Sequence, residues 1–116
     1  MVFQTLTQEV SQLEANLCYA FVDPTRILIL YALNDHPCTV TELTHKLAST
    51  QPKVSRHLKV LRDHGLVCTT RLGVSITYKL ADNRLIEALN ILHSILRDGI
   101  TSKASLVVEA TLQDQI

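Results

Sequence analysis

The most constraining stretch of this chain is residues 39–80, where a helical hydrophobic period gives way once to a β-rich one. Thr39 and Glu42 have the spacing of a capping box, in which a hydroxyl and a carboxylate satisfy orphan backbone amides reciprocally. That spacing predicts a helix from Thr39 to near Ala48. A Ser49-Thr50-Gln51 turn follows, and Pro52 to His64 forms the next helix, with Val54, Leu58 and Leu61 on one face. Gly65 stands where a left-handed residue ends a helix, and His64 lies in the last turn, where a cation suits the helix dipole. Beyond it, Leu66–Arg71 and Ser75–Leu80 are β-rich and flank Leu72-Gly73-Val74, the pattern of a hairpin. Helix, short turn, helix and hairpin in that order make a helix-turn-helix followed by a wing.

The flanking segments read as helices. Phe3, Leu6, Val10, Leu13 and Leu17 recur at spacings of three and four over residues 3–20, a narrow apolar stripe suited to docking on another helix. Asp23 as N-cap and Pro24 at the first position open a second helix. Its body, Thr25–Leu33, is apolar nearly all round and is expected to be buried, and Asn34-Asp35-His36-Pro37 breaks it. A helix over roughly 82–98 puts Leu85, Leu89, Leu92 and Ile95 or Leu96 on one face, with Gly99 closing it. The expectation is one mainly α domain with a small hairpin wing over residues 1–100, its N-terminal helix serving dimerisation, and a weakly patterned tail, 101–116, to which the sequence assigns no structure. Hydrophobic residues make up 47% of the 116 and the mean hydropathy is +0.17. That is more apolar surface than a small monomer readily hides, so a partner subunit is expected.

Several function classes fall away. The longest strongly apolar run, Ile27–Leu33, is far too short to cross a bilayer, and the N-terminus lacks the form of a signal peptide. Three cysteines, at 18, 38 and 68, form neither a disulfide framework nor a zinc-finger spacing, so a cytoplasmic protein with reduced thiols is expected. There is no Gly-rich phosphate loop, no G-x-S-x-G and no HExxH, and an enzyme is not expected.

Charge is balanced overall but segregated. Residues 1–45 carry one base and five acids, a net of −4, and residues 81–116 three bases and five acids, a net of −2. Residues 46–80 carry seven bases and one acid, a net of +6, and such a patch can hold a polyanion although the whole chain is neutral. Gln51, Lys53, Ser55, Arg56 and Lys59 lie near the start of the second helix of the pair, off its apolar face. Gln and Arg suit bidentate bonds to adenine and guanine edges, Ser adapts, and Lys suits phosphates. His57 lies within the same run and joins the candidate DNA contacts. Arg71 and Ser75 flank the hairpin tip, within reach of the DNA backbone or a minor groove. Arg26 is assigned a structural pairing with an acid such as Asp23.

Phe21-Val22-Asp23-Pro24-Thr25-Arg26-Ile27, Glu42-Leu43, the run Gln51-Pro52-Lys53-Val54-Ser55-Arg56-His57-Leu58-Lys59-Val60-Leu61-Arg62, Gly65-Leu66-Val67 and Tyr78-Lys79-Leu80 together resemble the ArsR/SmtB family of winged helix-turn-helix repressors. The resemblance spans about residues 15–98. It implies a homodimer joined through the first and fifth helices and a palindromic double-stranded DNA operator, released in many members by a metal or an oxidant. A protein-interaction module reusing the fold without reading DNA is the competing class. It would lack the steep salt dependence of phosphate neutralisation, about −0.9 in log–log slope per contact.

The effector positions of the family are altered here. A Cys-x-Cys arrangement at the start of the third helix is replaced by Thr39 and Thr41, which supply no thiolate. In a second arrangement, on the fifth helix, Asp82 is present, but Arg84 stands for a histidine, and Ile95 and Asp98 stand near the second pair, with His93 a lone imidazole. What the resemblance leaves is Cys18 with Cys38 of the other subunit, as ligands for a soft metal or metalloid ion or as a disulfide under oxidant. A repressor independent of any such effector is the third version. On the residues alone the plainer reading is preferred: Cys18 a small buried hydrophobe, Cys38 an exposed loop thiol, Cys68 packing in the wing.

Overall fold

A computed structural model describes the backbone of residues 2–114 and the side chains of residues 2–100. The order is α1 (Val2–Glu9), a π-helical turn (Val10–Glu14), α2 (Ala15–Ala20), α3 (Pro24–Asp35), α4 (Val40–Leu47), α5 (Gln51–Asp63), β1 (Val67–Leu72), β2 (Ser75–Leu80) and α6 (Arg84–Asp114). The chain divides into two compact units, Met1–Asn83 and Arg84–Ile116. The first helix expected from the sequence is thus α1 and α2 with a wide turn between them. No described helix is long and apolar enough to cross a membrane.

Local chemistry accounts for the element ends. The Asp23 carboxylate accepts the Thr25 amide at 2.8 Å and caps α3. Thr39 and Glu42 form the expected capping box on α4. Gly65, at φ 73°, ends α5 in a Schellman motif, with the Leu66 amide donating to the Leu61 carbonyl and the Gly65 amide to the Arg62 carbonyl. The same motif ends α4, the Ser49 amide donating to the Thr44 carbonyl, but there the left-handed residue is Ala48, at φ 49°. Leu72 pairs with Ser75, so the hairpin loop is Gly73-Val74, and positive φ at Gly73 alone is the pattern of a type II′ turn.

The core of the first unit gathers one face of each helix. Ile29 and Leu30 of α3, Leu43 of α4 and Val54, Leu58 and Leu61 of α5 are wholly buried. Two expectations are corrected. Leu28 is 54% exposed, so α3 is not buried all round: its core face covers Ile29, Leu30, Ala32 and Leu33, and Leu28 falls outside that arc. Gly99 does not close α6, whose backbone continues to Asp114; an interior glycine costs a helix only about 1 kcal/mol, which a long run of better helix formers offsets.

Cys38 belongs to the wing as much as to the loop that carries it. Its amide donates to the Tyr78 carbonyl at 3.0 Å and its carbonyl accepts the Tyr78 amide at 2.7 Å, a one-residue third strand beside β2.

A polar knot joins α5 to the start of α3. Arg26 Nε donates to His57 Nδ1 at 3.1 Å, and Arg26 Nη1 to the Tyr19 carbonyl at 3.2 Å. The guanidinium also lies 5.7 Å from the Tyr19 ring centroid, and that ring stacks on His64 at 6.0 Å. His57 Nε2 faces Asp23 Oδ2 at 3.5 Å, a contact that is electrostatic and too poorly aligned to count as a hydrogen bond. Arg26 is therefore structural, as expected, although its hydrogen-bond partner is His57 rather than Asp23. Burial holds the His57 imidazole below its ordinary pKa, and Arg26 adds to that while Asp23 opposes it.

Two predictions follow from these contacts. Replacing Ala48 with Gly relieves a left-handed Cβ at some cost in unfolded-state entropy and should raise unfolding free energy by about 0.5–1 kcal/mol, read from urea melts. The second concerns pH. The unfolded chain protonates His57 near 6.5 while the folded state resists, so its contribution is full above that pH and is lost as pH falls through the lowered folded value. Urea melts at pH 7.5 and 5.5 should show wild type losing more stability than His57→Gln; equal losses would remove His57 from the acid response.

Candidate functional site

Burying Val54, His57, Leu58 and Leu61 leaves the rest of α5 turned outward. Gln51, Lys53, Ser55, Arg56 and Lys59 are all exposed, and Lys53, Arg56 and Lys59 recur every third residue along that face. Among the described residues neither Lys53 nor Arg56 joins an ion pair, and Lys59 meets Asp63 only at 3.9 Å. The Thr50 side chain makes no capping bond at the N-terminus of α5, and Pro52 occupies its first turn. The helix thus presents an uncapped positive end beside its cationic row, an arrangement suited to a phosphodiester backbone with base edges alongside.

At the wing, Arg71 and Ser75 are exposed on either side of the turn, and Arg71 Nε donates to the Gly73 carbonyl at 3.2 Å. That bond folds the guanidinium over the hairpin tip.

His57 is the exception among the candidates. It is 1% exposed and sits beneath the helix in the knot with Arg26 and Asp23, so it presents no surface to a base or phosphate. The spacing was legible: His57 lies three residues after Val54 and one before Leu58, on the apolar face.

The cysteines depart from the plainer reading in both directions. Cys18 is exposed on α2, Cys38 is buried, and Cys68 is intermediate. Cys38 Sγ lies 3.4 Å from His36 Nδ1 and donates to the His36 carbonyl at 3.3 Å. Glu42 completes a cluster in which one ligand atom from each of the three residues lies within 4.8 Å of the others. Burial, with Glu42 and Asp35 nearby, pushes the Cys38 thiol above its ordinary pKa, and Lys46 partly offsets this. Residue spacing alone did not reveal the cluster, because the capping box is what swings Glu42 back over the start of α4. Thr39, at one of the family's thiolate positions, uses its hydroxyl in that cap.

Comparison with known proteins agrees with this architecture. The family model of bacterial regulatory proteins, arsR family, matches residues 23–69. The chain is 43% identical over 82 residues to the HTH-type transcriptional regulator CmtR of Mycobacterium tuberculosis, covering 71% of this chain and 70% of that one. Among solved structures, it is similar to the cadmium metal-sensor CMTR from Mycobacterium tuberculosis at 45% identity and a TM-score of 0.58, over 67% of this chain and 81% of that one. It is also similar to the transcriptional repressor BigR from Xylella fastidiosa at 28% identity and a TM-score of 0.69, over 82% and 96% of the two chains. With a winged helix-turn-helix whose second helix exposes a cationic face, and relatives of this identity and coverage, the chain belongs to the arsR family of DNA-binding transcriptional regulators.

Proposed function

We propose that the protein represses transcription in the cytoplasm as a homodimer, each subunit laying α5 in the major groove of one half of a palindromic operator. The observation that carries this reading is the division of α5 into a buried apolar face and an exposed face bearing Gln51, Lys53, Ser55, Arg56 and Lys59. Gln51 and Arg56 are assigned to base edges, Ser55 to an adaptable contact, and Lys53 and Lys59 to phosphates. Arg71 and Ser75 of the wing are assigned to the flanking backbone or minor groove. Half-sites are then spaced about 10 bp apart or a multiple of it. No bond-making step belongs to this reading.

Dimerisation is supported by apolar residues left in solvent. Phe3, Leu6, Val10 and Leu13 are 40–77% exposed along the N-terminal helix, and Leu92, Ile95 and Leu96 of α6 are 50–61% exposed. Such stripes on a small chain fit helix packing against a second copy.

Release by a metal ion is the effector reading, supported by similarity to a cadmium metal-sensor. Within it, the exposed Cys18 with Cys38 of a second copy is one thiolate arrangement, and oxidation of that pair the corresponding redox version.

Fluorescence anisotropy on DNA from upstream of the gene tests the reading. Replacing Lys53 and Arg56 together with Ala should cost roughly 1–3 kcal/mol for the base contact and flatten the salt slope by about 1 for the phosphate contact. Unchanged affinity would overturn it. Replacing Leu6 and Leu13 together with Glu should shift sedimentation from dimer to monomer and weaken operator binding; a dimer that survives would move the interface elsewhere.

A further inference from the structure

We propose that His36, Cys38 and Glu42 of a single protomer bind one divalent cation of the zinc or cadmium kind, through His36 Nδ1, the Cys38 thiolate and a Glu42 carboxylate oxygen, with water in the fourth position. The site deepens the metal-responsive reading above by giving it residues. It uses neither Thr39 nor Thr41, and it needs no ligand from Cys18.

Geometry is the first support. Zinc–sulfur and zinc–nitrogen bonds of about 2.3 and 2.05 Å at a tetrahedral angle put the two ligand atoms about 3.6 Å apart. Cys38 Sγ and His36 Nδ1 are already 3.4 Å apart. With all three ligand atoms inside 4.8 Å, only a small closure by Glu42 is required. Its capping bonds run through Oε1, from the Thr39 amide and hydroxyl at 3.2 Å each, so a ligand role for Oε2 is compatible with the cap.

The surroundings are the second support. His36 Nε2 faces Asp35 Oδ2 at 3.8 Å, a contact that would have to shorten to become the carboxylate bond by which a metal-bound imidazole is oriented, and that oxygen also accepts from Lys46 Nζ at 3.3 Å. On binding, Nδ1 gives up its 2.9 Å contact with the Pro37 carbonyl, the imidazole proton resides on Nε2, and the thiol proton leaves to solvent. A depression of about 460 Å³ lined by His36, Cys38, Thr41, Glu42, His45 and Lys46 gives an ion access. The mixed nitrogen, sulfur and oxygen donor set suits zinc or cadmium and disfavours calcium or magnesium, which take oxygen ligands.

The position explains why occupancy would matter. His36 ends α3, Glu42 lies in the first turn of α4, and the Cys38 backbone is bridged to β2 through Tyr78. One ion would therefore clamp α3, the first helix of the DNA-binding pair and the wing at a single joint.

Anaerobic titration of the reduced, full-length protein with Co²⁺ tests the site. The expected result is one equivalent per chain, tetrahedral d–d bands and a thiolate-to-cobalt charge-transfer band. Cys38→Ser should abolish the charge-transfer band, His36→Asn and Glu42→Gln should each weaken binding at least tenfold, and Cys18→Ser should change nothing. Because His36 and Glu42 are exposed, those two variants test the site even where Cys38→Ser fails to fold. A charge-transfer band that survives in Cys38→Ser, disappears in Cys18→Ser, or saturates at half an equivalent would overturn the proposal, as would its absence from wild type or undiminished affinity in His36→Asn. No DNA is present, so failure here leaves the operator reading intact, and loss of operator binding by the Lys53 and Arg56 variant leaves this site intact.

Discussion

Arg26, in the first turn of α3, donates its Nε proton to the imidazole of His57 at 3.1 Å, and that bond ties α5 to α3 at a fixed point. His57 is the one buried polar residue among those described. A buried imidazole that accepts at Nδ1 must be neutral and carry its proton on Nε2, where Asp23 Oδ2 stands 3.5 Å away. The donor at Nδ1 sets the tautomer, and the acid facing Nε2 favours the same ring orientation. A buried polar group has few acceptable alternatives, so the knot adds a directional restraint to the packing of Val54, Leu58 and Leu61. The exposed row of Lys53, Arg56 and Lys59 is thereby aimed by a side chain that never reaches the surface. Asp23 contributes twice, since its other oxygen caps α3 through the Thr25 amide. That bond, more than any charge, holds its carboxyl below the usual carboxylate range.

What could be read from the sequence follows the range of the interaction. The capping box, Asp23 at the start of α3, Gly65 after α5 and Gly73 in the turn are local, each decided by residues within four positions, and they place helix, helix and hairpin correctly. The exposed candidates on α5 were legible for the same reason, since a 3.6-residue period separates them from Val54, Leu58 and Leu61 without knowledge of any partner. His57 was mistaken for a DNA contact because its identity suggested chemistry while its position indicated burial, and the period was the better guide. Its partner, 31 residues earlier, is a long-range contact that no spacing rule reveals.

The cysteines show the same limit from the other side. Cys38 follows a proline in a short loop, which by composition alone suggests an exposed thiol. Pairing with Tyr78, forty residues on, carries it under the wing and leaves it wholly buried. Cys18 lies on an amphipathic helix whose apolar residues Phe3, Leu6, Val10 and Leu13 are exposed, and it is exposed with them. Gly99 carries the opposite lesson: a residue that commonly ends helices is accommodated within α6, because its cost is small beside what a long helical run supplies.

The energetics of release place a demand on whatever sits at the α3–α4 joint. Moving an operator from nearly full to nearly empty requires differential binding of about 5.5 kcal/mol between the two conformations. A loosely held surface ion cannot supply that, because a ligand shifts an equilibrium only by the difference in its affinity for the two states. A site whose ligands come from separate elements can, since any relative movement of α3 and α4 breaks its geometry in one state and not in the other. His36 and Glu42 sit on opposite sides of that joint, and Cys38 between them is bonded to the wing. Two clusters therefore lie in the winged helix-turn-helix from different directions: the His57 knot ties α5 to α3 from within, and His36, Cys38 and Glu42 span the joint at which α4 follows α3. The two share one core, in which Leu43 of α4 and Leu58 and Leu61 of α5 are wholly buried, and a close-packed core does not absorb displacement gradually.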